Sequence, residues 1–145
     1  SKSHALAGLR VGYALGSAAL IEGLIRVKDS FNSYPLDAIA QRVGAAAIED
    51  TQWLRHSSQV VKDNRGKLSE SLTNLGFEVC PSLANFIFVK HPDHEGRVLF
   101  EHLRENNILV RRWDKKAIAS YLRITVGTEA ECAALVRCLA DYCAA

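Results

Sequence analysis

Apolar residues recur along this chain with two different periods, and the change between them marks its organisation. Behind Ser17, a favourable N-cap, Leu20, Ile21, Leu24 and Ile25 fall at helical spacing and predict a helix through about Lys28. Asp29, Ser30, Asn32, Ser33 and Pro35 then make a turn-rich connector, since Pro35 cannot sit inside a helix. A second helix follows, with Leu36, Ile39, Ala40, Val43, Ala46 and Ala47 as its apolar stripe and Asp37 in its first turn, where a negative charge suits the helix dipole. From about Thr51, Val60, Val61, Leu68, Leu72 and Leu75 recur at 3.6-type spacing among charges and predict one long helix. Gly76 is placed to stop it.

Beyond Gly76 short extended runs alternate with helical ones. Residues 77–80 and 84–89 predict two strands, the second rich in aromatic and β-branched side chains. Residues 96–107 predict a helix with Val98, Leu99 and Leu103 inward, and residues 108–110 and 121–126 two further strands. Thr128 followed by Glu131 is a capping box, opening a last helix with Cys132, Leu135, Val136, Leu139 and Cys143 on one face. The order β-β-α-β-β-α from residue 77 is an α+β arrangement, one sheet with helices on one face. Near the start, residues 9–15 carry Val11, Tyr13 and Leu15 between Gly8 and Gly16 and predict a buried strand. The fold class is therefore α/β passing into α+β.

Composition narrows the function classes. A chain of 145 residues can bury a core, and a formal charge of +2 without a basic block or aromatic platform argues against nucleic acid. The apolar window at residues 18–27 is broken by Glu22 and Arg26 and is too short to span a bilayer, so a soluble, cytoplasmic protein is expected. Cys80, Cys132, Cys138 and Cys143 form no CxxC pair and read as reduced thiols. The run His91-Pro-Asp-His94 reads as a solvated polar turn, and no metal site is expected. Methionine is absent throughout, including position 1, and a chain opening on its most reactive lysine reads as a piece of a longer protein.

That lysine heads the stretch richest in chemistry. Ser1-Lys2-Ser3 is followed by Arg10, with Gly8, Gly12 and Gly16 at four-residue spacing. Lysine forms Schiff bases with carbonyl cofactors, and a nearby cation such as Arg10 disfavours its protonated form. Arginine also binds phosphate bidentately, so Ser1, Lys2 and Arg10 are the pieces that a phosphorylated aldehyde requires. A second arginine lies in Leu122-Arg123-Ile124-Thr125-Val126, where alternation turns Arg123 away from the apolar face. There its planar fork can grip a carboxylate or phosphate.

Ser-Lys-Ser-x-x-Leu-Ala-Gly-Leu-Arg-x-Gly-Tyr resembles the pyridoxal-phosphate lysine motif of fold-type I aminotransferases, most closely the histidinol-phosphate branch. The resemblance implies that Lys2 carries the cofactor and acts as general acid/base, while Ser1 and Arg10 hold its phosphate. Leu-Arg-Ile-Thr-Val-Gly-Thr is similar to the C-terminal signature of class I and II aminotransferases, which makes Arg123 the residue for the substrate's acidic group. Ile-Leu-Val-Arg resembles the place of the substrate-phosphate arginine and points to Arg111, with the adjacent Arg112 leaving the register open by one residue. Pro-Ser-x-Ala-Asn-Phe resembles the segment that brings an asparagine to the rim of the site, here Asn85.

The same resemblance implies a domain plan: residues 1–50 as the end of the cofactor-binding large domain, 51–76 as a connecting helix, and 77–145 as the C-terminal small domain. It implies an amino donor such as histidinol phosphate, 2-oxoglutarate as acceptor, histidine biosynthesis as setting, and a homodimer. Two other readings stay open: a related enzyme (threonine-phosphate decarboxylase, aromatic or aspartate aminotransferase), or a non-catalytic structural or dimerisation domain. The positions that serve the pyridine ring in the family lie upstream of its lysine, so these residues alone are expected to be inactive. Residues 9–15 would lack sheet neighbours and form an exposed apolar edge, so either self-association or disorder of the first sixteen residues is expected.

Overall fold

The computed structural model describes residues 2–32 and 34–144. The chain divides into two compact units, Ser1–Ser57 and Ser58–Ala145.

In the first unit a short 3₁₀ turn, Ala7–Leu9, precedes α1, Ala18–Phe31, and α2, Ala38–Glu49. Ser17 takes the N-cap position of α1 in extended backbone, but its hydroxyl makes no capping bond. Asp37 does cap α2, accepting from the Ala40 amide at 2.7 Å. It is a true N-cap and stands just before the helix rather than inside its first turn. No residue of α1 is buried, and Leu20 and Leu24 of its apolar stripe are 69% and 54% exposed.

The strand expected over residues 9–15 does not form. Leu9 belongs to the 3₁₀ turn, Arg10 closes that turn in left-handed backbone (φ 55°), and residues 11–17 carry no regular structure. The reason lies in pairing: a strand satisfies its backbone only through neighbours, and the sheet found among the described residues belongs entirely to the second unit. Tyr13 and Leu15 are left exposed.

The long helix α3, Thr51–Asn74, runs from the first unit into the second. There it meets β1 (Glu78–Val79), β2 (Phe86–Lys90), α4 (Gly96–Glu105), β3 (Leu122–Thr125) and α5 (Glu129–Cys143). The strands form one antiparallel sheet in the order β1-β2-β3. Register sets Ile87 opposite Ile124 and Val89 opposite Leu122. These four side chains are at most 2% exposed and pack with Leu68, Leu72, Leu99, Leu103, Leu135 and Leu139 into one core. Asn64 of α3 is buried because its amide donates to the Gly127 carbonyl at 3.0 Å, tying α3 to the turn before α5.

Two helices end by the same device. At the end of α3, Gly76 adopts φ +89°, Phe77 N–H reaches the Leu72 carbonyl and Gly76 N–H the Thr73 carbonyl, both at 3.0 Å. At the end of α4, Asn107 takes the left-handed position, and Ile108 and Asn107 N–H bond to Leu103 and Arg104 carbonyls. Using the Ile108 amide this way removes it from any sheet. The strand expected over residues 108–110 is accordingly reduced to a single antiparallel bridge, Arg111 with Arg123, and the order becomes β-β-α-β-α. Val98 is 39% exposed rather than inward, and Phe100 packs against the core in its place.

The capping box at Thr128 is complete: its hydroxyl accepts from Glu131 N–H, and the Glu131 carboxylate accepts from Thr128 N–H at 2.7 Å. That amide, with the hydroxyl second, holds the Glu131 carboxyl below its ordinary range. Thr128→Ala is expected to cost about 1 kcal/mol in urea unfolding at neutral pH. Because Glu131 is depressed in the folded state, its contribution is present above its unfolded pKa and fades as pH falls through the folded value. The stability difference between wild type and Glu131→Gln should therefore close in acid, and a gap independent of pH would count against the box.

Candidate functional site

The second unit carries a candidate functional surface on the sheet face away from the core. Alternation that sends Ile87, Val89, Leu122 and Ile124 inward sends Phe86, Phe88, Lys90 and Arg123 outward. Phe88 stacks on Tyr121 with ring centroids 4.5 Å apart, and Trp113 meets Phe88 edge-on at 6.4 Å. The Arg123 guanidinium lies 5.1 Å from the Phe86 ring and 5.5 Å from Trp113. Arg111 approaches the same Trp113 ring at 5.0 Å. An aromatic floor thus carries two guanidinium groups.

Their backbone relation explains the convergence. Arg111 and Arg123 exchange both hydrogen bonds of an antiparallel pair, N–H to O at 3.0 and 2.8 Å, so they stand directly opposite each other. Like charges in that position repel. Among the described residues neither arginine has an acidic partner, and Arg123 Nε is buried with no hydrogen-bond acceptor. A buried unpaired donor is costly, and an anion between the two guanidinium groups would satisfy it and relieve the repulsion. Chemically the face offers the donors that suit a carboxylate or phosphate.

Arg112 is committed elsewhere. Its Nε donates to the Ala119 carbonyl at 2.8 Å and it pairs with Asp114 at 2.6 Å. Of the two adjacent arginines, Arg111 is the one that shares the face of Arg123. Asn85 is exposed, stands just before β2, and its carbonyl accepts from Val126 N–H at 2.9 Å. Its side chain makes no hydrogen bond among the described residues and is free for a ligand.

In the first unit, Lys2 is exposed and its carbonyl accepts from Ala5 N–H at 3.2 Å. Arg10 is also exposed, and among the described residues its guanidinium donates to the Ala7 carbonyl at 3.3 Å. Ser1 lies outside the described residues. A primary amine and a guanidinium with no acidic partner are the donor set that a phosphorylated aldehyde needs, so the residues present fit such a group. His4, which no sequence motif singles out, stacks on Trp53 at 6.3 Å, and its buried Nε2 has no hydrogen-bond partner among the described residues.

Sequence reasoning also missed Trp113, Phe86, Phe88 and Tyr121 as the floor of the anion site. The signal was present for two of them: the alternation Phe86-Ile87-Phe88-Val89 separates the aromatic from the aliphatic face. Nothing local announces that Trp113 folds over both arginines.

The family described as "Aminotransferase class I and II" matches residues 1–139. Histidinol-phosphate aminotransferase 2 of Thiobacillus denitrificans is 56% identical over 144 residues, which cover 99% of this chain and 40% of that protein. Histidinol-phosphate aminotransferase 2 of Rhizobium meliloti is 55% identical over 139 residues, again with 40% of its length covered. The crystal structure of histidinol-phosphate aminotransferase from Sinorhizobium meliloti, in complex with pyridoxal-5'-phosphate, superposes with a TM-score of 0.87 at 22% identity, over 99% of this chain and 39% of that one. The likeness to the solved structure is one of fold, and the chain spans about 40% of the length of the curated relatives. A family match that runs through nearly every residue, joined to relatives identical at more than half of the aligned positions, establishes that this chain belongs to the class I and II aminotransferases.

Proposed function

We propose that these 145 residues supply the cofactor lysine and the substrate-anion arginines of a pyridoxal-phosphate-dependent aminotransferase that moves the amino group of histidinol phosphate to 2-oxoglutarate. The observation that carries this reading is the Arg111–Arg123 pair: two guanidinium groups on one face, one with a buried unpaired donor and neither with an acidic partner among the described residues. Relatives named histidinol-phosphate aminotransferase, matched over almost the whole chain, support the same choice. Lys2 would hold the cofactor through its amine, and Arg10 with Ser1 through the phosphate. When bound, pyridoxal phosphate supplies an electron sink for the bond at the substrate's α-carbon. Lys2 Nζ takes and returns the α-proton, Arg111 and Arg123 fix the donor's phosphate and the acceptor's carboxylate, and Asn85 stands at the rim.

Residues 1–50 would belong to the cofactor-binding domain, 51–76 to a connecting helix, and 77–145 to the small domain. The exposed apolar residues Tyr13, Leu15, Leu20, Leu24 and Phe31 fit a surface covered by the remaining length of the protein and by a second subunit, so a homodimer is expected. Among the described residues no helix is long and apolar enough to cross a membrane, and the four cysteines are free. Both fit an enzyme of the cytoplasm.

The test is a panel of amino donors on the full-length protein, meaning a chain of the relatives' length that contains these residues. Histidinol phosphate should exceed phosphate-free donors in kcat/KM by at least about 10²-fold, because a site built for a polar group is left unpaired by an analogue that lacks it. The 145-residue chain alone should show no transamination. Equal use of aspartate or aromatic amino acids would move the assignment to a related branch, and a full-length protein inactive toward every donor would leave the structural reading.

A further inference from the structure

A cluster unrelated to the anion site lies where the last turn of α5 meets the turn between β2 and α4. His91, His94 and Cys143 each offer one ligand atom there, and the three atoms lie within 4.8 Å of one another. His91 is not the solvated turn residue that its sequence context predicts: it is 9% exposed, wedged edge-on against Phe77, with the His94 ring tilted against it at 4.5 Å. We propose that His91, His94 and Cys143 form a three-ligand site for a zinc-class divalent cation, with solvent in the fourth position.

Ligand chemistry selects this class. Two imidazoles and a thiolate are nitrogen and sulfur donors that favour a borderline-soft ion over magnesium or calcium, which take oxygen. His91 is already oriented as a ligand. Its Nδ1 accepts from Asp93 N–H at 3.1 Å, which leaves the ring proton on Nε2, directed at the Leu75 carbonyl at 3.2 Å. An imidazole whose distal N–H is held by a backbone carbonyl presents its other nitrogen to a metal. Coordination through Nδ1 would cost only the bond to Asp93, an exposed residue whose amide can turn to water.

The other two ligands are uncommitted. Neither nitrogen of His94 and no atom of the Cys143 thiol makes a hydrogen bond among the described residues. His94 is held in place by an edge contact with Tyr142 at 5.3 Å, and Tyr142 in turn leans on His102. Gly76 contributes room, since a Cβ there would come within 3.0 Å of His91 Nε2. Tetrahedral ligation needs ligand atoms about 3.3–3.6 Å apart, given Zn–N of about 2.0 Å and Zn–S of about 2.3 Å. The remaining closure, on the order of 1 Å, falls on a loop histidine and on the final residue of α5, where little else must move. Binding would join the ends of α3, β2 and α5. The Cys143 thiol proton passes to solvent as the metal–sulfur bond forms, and nothing is oxidised or reduced.

The experiment is a titration of the untagged, reduced full-length protein, a chain of the relatives' length that contains these residues, with Co²⁺ and then Zn²⁺, read by visible absorption. The expected result is one equivalent bound, with the bands of tetrahedral cobalt and a thiolate charge-transfer band that Zn²⁺ displaces. Cys143→Ser should remove the charge-transfer band, His94→Ala should weaken Kd by at least about tenfold, and Cys138→Ser should leave the spectrum unchanged. The proposal is overturned if no tetrahedral spectrum appears up to millimolar metal, or if the spectrum survives both Cys143→Ser and His94→Ala. Circular dichroism of the variants confirms that any loss is not unfolding. Both altered side chains are partly exposed, and Cys143 packs against the rim of the core rather than inside it, so its near-isosteric change to serine should leave the folded state in place.

Discussion

Lys2→Ala in the full-length protein should abolish measurable transamination while leaving the fold intact. The loss follows from the two tasks assigned to one amine. As general acid/base alone a positioned side chain contributes about 10²–10⁴-fold. Lys2 would also hold the cofactor's aldehyde, so the fall in rate should reach at least that range. The fold should persist because Lys2 is exposed and its side chain makes no hydrogen bond among the described residues. The check is a pair of measurements: single-turnover rates with histidinol phosphate, and the mass of the protein after pyridoxal phosphate and borohydride, with peptide mapping. Wild type should carry one phosphopyridoxyl group on Lys2 and the variant none there. Activity within tenfold of wild type would remove Lys2 from the reaction.

Arg123→Lys should lower kcat/KM by roughly 10- to 150-fold, the equivalent of losing hydrogen bonds to a charged group worth about 1.5–3 kcal/mol. The substitution keeps the charge, so the effect isolates geometry. A guanidinium lying along Phe86 and Trp113 presents its donors edge-on to an anion, whereas an ammonium on a flexible stem offers one point charge. Arg111→Ala supplies the contrast. If Arg111 reads the phosphate, its removal should penalise histidinol phosphate far more than a phosphate-free donor and should leave 2-oxoglutarate use nearly unchanged. Equal losses for all substrates would mean that the Arg111–Arg123 bridge acts only as scaffold for the strand. Near-ultraviolet dichroism of Trp113 would show whether the aromatic floor survives either change.

The two arginine results bear on the unpaired Nε of Arg123. A guanidinium held against aromatic rings, facing a like charge and leaving a donor unsatisfied, is a poor arrangement for stability alone. Removing that tension should make the apo protein no less stable. Arg111 and Arg123 variants that lose activity without losing thermal midpoint would fit a site in which the strain serves binding.

Much of the second unit was legible from residues a few positions apart. Gly76 stops α3, Thr128 and Glu131 box the start of α5, and the alternation of Leu122, Ile124 and Val126 turns Arg123 away from the core. Each of these is decided by helix-end hydrogen bonds or by side-chain period, which act within about six residues of chain. The lysine motif of residues 1–13 and the arginine signature at 122–128 likewise lie in the order of residues alone, and they carried the family assignment.

What the order of residues left undecided was pairing. Residues 9–15 have the composition of a strand, yet the sheet among the described residues lies entirely in the second unit, so they form no strand. Residues 108–110 look equally extended, yet the Ile108 amide is taken by the end of α4 and only Arg111 reaches the sheet. That single bridge decides which of two adjacent arginines shares the face of Arg123, and it brings Trp113 over both. The same holds for Cys143, far from His91 and His94 in sequence, whose ligand atom lies within 4.8 Å of theirs in space. Local rules set period and termini because their energies arise between near neighbours, whereas strand partners and converging side chains depend on which distant segments share a core, and that is fixed only when the chain is folded.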